Sequence, residues 1–239
     1  MWRHSGCACI LAPYGDVGRF KAEVLAERLA RRYGREVGYA VLPYDPERHA
    51  GLFGERSSAL SLLVGAVDNA AARRALAATL DRPVWSGGYG QATPVWLLDC
   101  GNGRNSGQVL LGNATRPEAL RGAFRAAERR CRALPAPSLQ RPDLLVSPPG
   151  PATRPQRDCD EAVALAEQGA TINQLVAAIA AGFVEKLLGG SCAWMGAYFD
   201  LDDGTLRCVS ADPMTVAGIA GLHRNAVAPP SRPVAHAAG

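Results

Sequence analysis

Asp68 and Asn69 stand where an apolar run ends and an alanine-rich, arginine-bearing stretch begins. Leu60, Leu62, Leu63, Val64 and Val67 precede or flank them, and Arg73 follows one helical turn later. Such a run reads as a buried strand. In an open α/β sheet, a carboxylate at the carboxyl end of a buried strand faces the crevice where nucleotides bind. Asp68 in that position can hold a metal ion that bridges phosphates. Asp and Asn also start helices well, because their side chains accept hydrogen bonds from the first free backbone N–H groups. On these residues alone, a metal ligand and a helix cap are both open.

Cys159 is the thiol most like a nucleophile. It follows a proline-rich stretch, sits near a helix start that would stabilise a thiolate, and has Arg157 nearby. Asp158, Asp160 and Glu161 act the other way, raising its pKa by like-charge repulsion. Cys100, beside Asp99, reads as a core residue. The string from Gly101 to Gly107 has the glycines of a phosphate loop, yet strands flank it on both sides and no helix follows. A phosphate loop needs strand–turn–helix context, so this string reads as a hairpin turn. His4, His49, His223 and His236 fall in loops or tails and offer no general base with a visible partner.

The elements that must position these groups follow from pattern and composition. A chain of 239 residues can bury a substantial core and is expected to form one domain with at most a small appendage. The net charge of +4 comes from scattered arginines, which argues against nucleic acid as a partner. No apolar stretch reaches the length of a membrane span, and no signal-peptide layout opens the chain, so a cytoplasmic protein with no membrane partner is expected. Seven widely spread cysteines suit reduced thiols better than a disulfide framework.

Phe20, Val24, Leu25 and Leu29 share one helical face, predicting a helix over 20–33 that Gly34 ends. Strands are predicted at 37–42, 60–67, 95–99, 108–111, 193–201 and 205–210, with the last two joined at Asp202-Asp203-Gly204. Helices are predicted at 69–80, 117–133 and 159–188, the last broken near Gly169. The strands at 95–99 and 108–111 lie too close for a helical crossover and should pair antiparallel. The proline-rich stretch 135–157 is expected to be a linker or mobile loop outside the core. Residues 213–239 are expected to form a disordered tail. The fold class is therefore α/β, a Rossmann-like mixed sheet with a parallel first part (37–42 and 60–67) and an antiparallel second part.

Four motifs, in order, carry a family resemblance. The segment from Asp16 to Val24, with Gly18, Lys21, Ala22 and Glu23, resembles the "(D)xGxxKAE" segment of the ThiF/MoeB/HesA family, relatives of the ubiquitin-activating enzymes. Val67-Asp68-Asn69 with Arg73 resembles that family's "VDNxxxR" element. Asp99 through Asn102, with Gly107-Gln108-Val109, is similar to its "D-x-G…G-Q-V" strand pair. Ile172-Asn173-Gln174, after Cys159 and Glu161-Ala162, is similar to the ThiF-type protein of the PRTRC cassette. The resemblance covers residues 12–212, read as one ThiF-like domain.

The resemblance implies ATP-dependent activation of the C-terminal carboxylate of a small ubiquitin-like or sulfur-carrier protein. ATP and Mg²⁺ are the implied cofactors, the carrier protein is the implied partner, and a homodimer is compatible with it. Asp68 would hold the metal and act in catalysis, while Lys21, Asn69 and Arg73 would contact the nucleotide. Lys21 and Lys186 are the two lysines of the chain, and a lysine is a compact phosphate donor that arginine does not replace. A plain surface lysine, and a cap-and-solvate role for Asn69 and Arg73, are the alternatives.

The resemblance places Lys21 and Asp68 at one cleft. The family's opening strand and glycine turn are expected to lie before this sequence's start, which would leave the chain weak in ATP binding until they are restored. Two other functions stay open: a non-catalytic scaffold on a degenerate nucleotide fold, and a DNA-associated plasmid-maintenance accessory.

Overall fold

Helix α1 (Lys21–Tyr33) ends at Gly34, whose left-handed backbone (φ 60°) turns its N–H back to the Ala30 carbonyl. Val24 and Ala26 are buried, while Leu25, Leu29 and Tyr33 keep exposed outer faces. Arg19 bonds Glu23 at 2.9 Å and also Glu27, tying the first turns together. The computed structural model describes residue 16 and residues 18–49, 60–81, 95–124, 131–147 and 171–228. The chain divides into two compact units, Met1–Tyr44 with Pro151–Gln168, and Asp45–Gly150 with Gly169–Gly239.

The second unit is built on a five-stranded sheet in the order β1 (Ser61–Ala66), β2 (Val95–Asn102), β3 (Ser106–Gly112), β4 (Trp194–Asp200), β5 (Thr205–Ser210). β1 and β2 are parallel; every later pair is antiparallel. The fold is thus α/β with a mixed sheet, its parallel part first. The parallel partners differ from the expected ones, however. Residues 36–42 form no strand, and Tyr39, Val41 and Leu42 are exposed. Six residues of strand composition, interrupted by Gly38, do not hold β structure without a neighbour to bond their backbone.

Alternation along β2 sends its side chains to two cores. Trp96, Leu98 and Cys100 join Val109, Leu111, Ala197 and Phe199 beneath helix α5 (Ile172–Leu188), through Ile172 and Phe183. Leu97 and Asp99 face the other way, toward helix α3 (Ala70–Leu80) and the short helix α4 (Pro137–Gln140). Helix α2 (Pro46–His49) is a single turn that carries His49.

Three expectations are corrected. Within the helix predicted over 117–133, Pro117–Leu120 is a 3₁₀ turn, ended by Arg121 in an extended conformation and by Gly122 at φ 69°, and residues 125–130 lie outside the described residues. Gly122 and Phe124 instead donate to the carbonyls of Ala226 and Val227, and residues 131–136 are not helical. The proline-rich stretch begins inside the core: Pro135, Ala136 and Pro137 are buried, and residues 148–157 lie outside the described set. Prolines there lose nothing, because their fixed φ suits an extended strap and Pro137 opens α4 at a position that needs no N–H.

The tail is corrected as well. Asp212 accepts from Met214 and Thr215 N–H at 2.9 and 3.0 Å, capping helix α6 (Pro213–Ala220), and helix α7 (Arg224–Val227) follows. Val216 and Val227 are fully buried. Apolar spacing within the segment outweighed its alanine-rich composition. Residues 229–239 lie outside the described set.

Gly112 makes the strap's close approach possible. A Cβ there would run into the Pro135 carbonyl, and Gln140 Nε2 ties the same carbonyl and that of Leu111 at 2.8 and 3.0 Å. Backbone is the obstacle, so the strap itself must move to admit a side chain. Gly112→Ala is therefore expected to cost about 1–3 kcal/mol, read as a lower urea midpoint with an unchanged slope.

Candidate functional site

β1 runs straight into the first turn of α3, and the link between them carries Asp68 and Asn69. Geometry decides which of the two residues caps the helix. Asn69 is the cap: its Oδ1 accepts the Ala72 N–H at 2.8 Å. Asp68 precedes the cap with an exposed carboxylate, whose Oδ1 accepts from Asn69 Nδ2 at 3.1 Å. Helix α3 therefore presents its positive end beside a carboxylate at the carboxyl end of a parallel strand.

Arg73 turns inward. Its Nε donates to both carboxylate oxygens of Asp99, at 3.2 and 3.4 Å, one strand over on β2. The two side chains are 13% and 4% exposed, so this is a buried ion pair. Burial holds the Asp99 carboxyl above the usual carboxylate range, although Arg73 pulls it down. Gly65 lets α3 lie close, since a Cβ there would meet Leu76 Cδ1 at 2.6 Å and Asp99 Oδ1 at 3.5 Å.

A shallow, open depression with room for about one water adjoins this pair, with Arg73, Asp99, Ser138 and Arg141 as its polar lining. Arg141 grips Asp143 with two hydrogen bonds of 2.8 and 2.6 Å and lies 5.6 Å over the Tyr198 ring. Both cations of the depression are thus already matched by a carboxylate. On the opposite face, Asn102 Nδ2 donates to Asn173 Oδ1, joining the end of β2 to the first turn of α5.

Asp68 offers a single accessible carboxylate, and Arg73 is held too firmly to act as a mobile phosphate clamp. Magnesium keeps several waters and uses one or two carboxylates plus phosphate oxygens, and Asp68 supplies one accessible carboxylate. Among the described residues no three His, Cys, Asp or Glu side chains converge on one point, so water and phosphate would complete the ion's shell. The Arg73 guanidinium is fixed by Asp99.

The other predicted residues fall in different places. Lys21 opens α1 in the first unit, whereas Asp68, Asn69 and Arg73 belong to the second. Cys159 lies outside the described residues. Cys100 is buried, and its thiol is pushed up to about 11, first by burial and then by Asp99. His223 caps α7 by accepting the Asn225 N–H on Nδ1. The Gly101–Gly107 string is the β2–β3 hairpin, closed by Gly103 N–H donating to the Ser106 carbonyl at 2.8 Å.

Asp99 is the residue that motif reading named without a role. Its signal was present: a carboxylate inside Val95-Trp96-Leu97-Leu98 and Cys100 must find a cation if the strand is buried on both faces. The chain matches no model of a known protein family and no curated protein. No helix among the described residues is long and apolar enough to cross a membrane.

Proposed function

We propose that the chain is an adenylyltransferase resembling the ThiF/MoeB/HesA family, probed most directly through Asp68. In this reading it uses ATP and Mg²⁺ to activate the C-terminal carboxylate of a small ubiquitin-like or sulfur-carrier protein, in the setting of a PRTRC-type cassette. The observation that supports it is the exposed Asp68 carboxylate between the carboxyl end of β1 and the Asn69-capped start of α3. A carboxylate-bound cation beside a helix N-terminus neutralises the charge that develops on a phosphate under attack. Lys21 and Cys159 keep the roles the resemblance gives them, nucleotide contact and acceptor in any covalent transfer, while Arg73, its charge matched by Asp99, would supply hydrogen-bond donors.

The test is ATP–pyrophosphate exchange with candidate carrier proteins, with and without Mg²⁺. Magnesium-dependent exchange is expected when the chain is joined to a family-type opening strand and glycine turn. Its absence across carriers, in that joined protein shown to be folded, would reject the reading.

One observation favours a second reading, a non-catalytic scaffold. Arg73, the motif's arginine, is buried in an ion pair with Asp99, which is what a structural role alone requires. A folded chain that captures a carrier protein without any exchange is the result that favours it.

A further inference from the structure

Two half-buried thiols lie at one end of the core, where β3 ends and β4 begins. The chain just past β3 is held to the strap: Asn113 and Ala114 N–H both donate to the Leu134 carbonyl, and Asn113 Nδ2 donates to that of Arg132 at 3.1 Å. Cys131 precedes Arg132 and packs against the core. β4 runs antiparallel to β3, so its start lies beside the end of β3. Cys192 stands two residues before Trp194, at that start, and packs against the same core.

Each thiol turns onto the backbone carbonyl two residues further on, Cys131 Sγ to Ala133 at 3.1 Å and Cys192 Sγ to Trp194 at 3.0 Å. Burial raises both thiols, Cys131 to about 11, and repulsion from Cys192 adds to the rise at Cys131. The two groups are thus near enough to sense each other's charge. Lys186 pulls Cys192 down against its burial.

We propose that Cys131 and Cys192 are a redox-sensitive pair whose disulfide staples the strap to the start of β4. The strap continues through Pro137 and Ser138 to Arg141, one wall of the depression beside Arg73 and Asp99, so the bond fixes that wall. The oxidant is a small disulfide such as glutathione disulfide. The Cys192 thiolate, with Lys186 near it, attacks one glutathione sulfur and releases the first glutathione. The Cys131 thiolate then attacks the Cys192 sulfur and displaces the second. The two chain thiols lose two protons and two electrons, and the glutathione disulfide gains both as two thiols. The inference does not depend on the adenylyltransferase reading.

Equilibrating the full chain with mixtures of reduced and oxidised glutathione, followed by acid quenching, alkylation and peptide mapping by mass spectrometry, tests it. A Cys131–Cys192 linkage is expected in the folded chain and is lost in excess dithiothreitol. Its formation should raise the urea midpoint by about 1 M or more. Cys131→Ser and Cys192→Ser should each abolish both the linkage and the rise. Cys208→Ser, which alters a half-buried thiol within β5 opposite Ala197, should leave both unchanged. Should a variant fold poorly, the map of the wild-type chain decides.

Glutathione left on both thiols without a linkage between them overturns the inference. Linkage of either thiol to a different cysteine, or a Cys131–Cys192 bond that forms only in urea, overturns it too. A bond that forms in the folded chain without raising the midpoint would show that the strap must distort to make it, and rejects the staple.

Discussion

Arg73→Ala is expected to lower the stability of the chain by about 3–5 kcal/mol, since it leaves a buried carboxylate without its counter-charge. Asp99 is 4% exposed, and Arg73 Nε is the donor that meets both of its oxygens. Urea unfolding followed by circular dichroism measures the loss. Replacing both partners by apolar residues of similar size, as in Arg73→Met with Asp99→Leu, should recover most of it, because no charge then remains in the core. A single variant as stable as the wild type would show that Asp99 reaches water or another donor.

The pH dependence has a defined sign. Burial raises the Asp99 carboxyl above its ordinary value in the folded chain, so the folded state holds this proton more tightly than the unfolded state. The stability that this group contributes is fully present below the unfolded pKa of about 3.9 and is lost as pH rises through the folded value. Without Arg73 the downward pull disappears, and the window extends further toward neutrality. The deficit of Arg73→Ala should accordingly be smaller at mildly acidic pH than at neutral pH.

Asp68→Ala is expected to have the opposite profile. Its carboxylate is exposed and hydrogen-bonded to the neighbouring Asn69 side chain, so stability should stay within about 0.5 kcal/mol of the wild type. In the protein joined to a family-type opening strand and glycine turn, magnesium-dependent pyrophosphate exchange should fall about a hundredfold or more, the scale on which removal of a charge-stabilising group acts. Asp68→Asn should keep the Asn69 contact and the fold but fail equally in exchange. Exchange that survives both substitutions would place the metal elsewhere, and a large loss of stability would make Asp68 structural.

The elements fixed by short-range chemistry were legible in the residues. Helix α1 follows from apolar spacing and a closing glycine, α3 from the Asn69 cap, and the β4–β5 hairpin from Asp202-Asp203-Gly204. The β2–β3 hairpin was legible because two strands so near in sequence can only pair antiparallel. All of these depend on interactions between residues close along the chain.

Tertiary structure decided the rest. Residues 37–42 carry strand composition, yet whether they pair depends on a neighbour that composition does not specify. Leu134 and Ala136 enter the core because Gly112 lets backbone meet backbone, a contact between distant segments that no local pattern encodes. Val216 and Val227 are buried because the rest of the sheet supplies the surface they cover. The largest difference is at Arg73. Its place one turn after Asp68-Asn69 was plain in the sequence, but its partner, Asp99, lies 26 residues away on the adjacent parallel strand. The crossover that makes β1 and β2 parallel neighbours turned a candidate surface arginine into half of a buried ion pair.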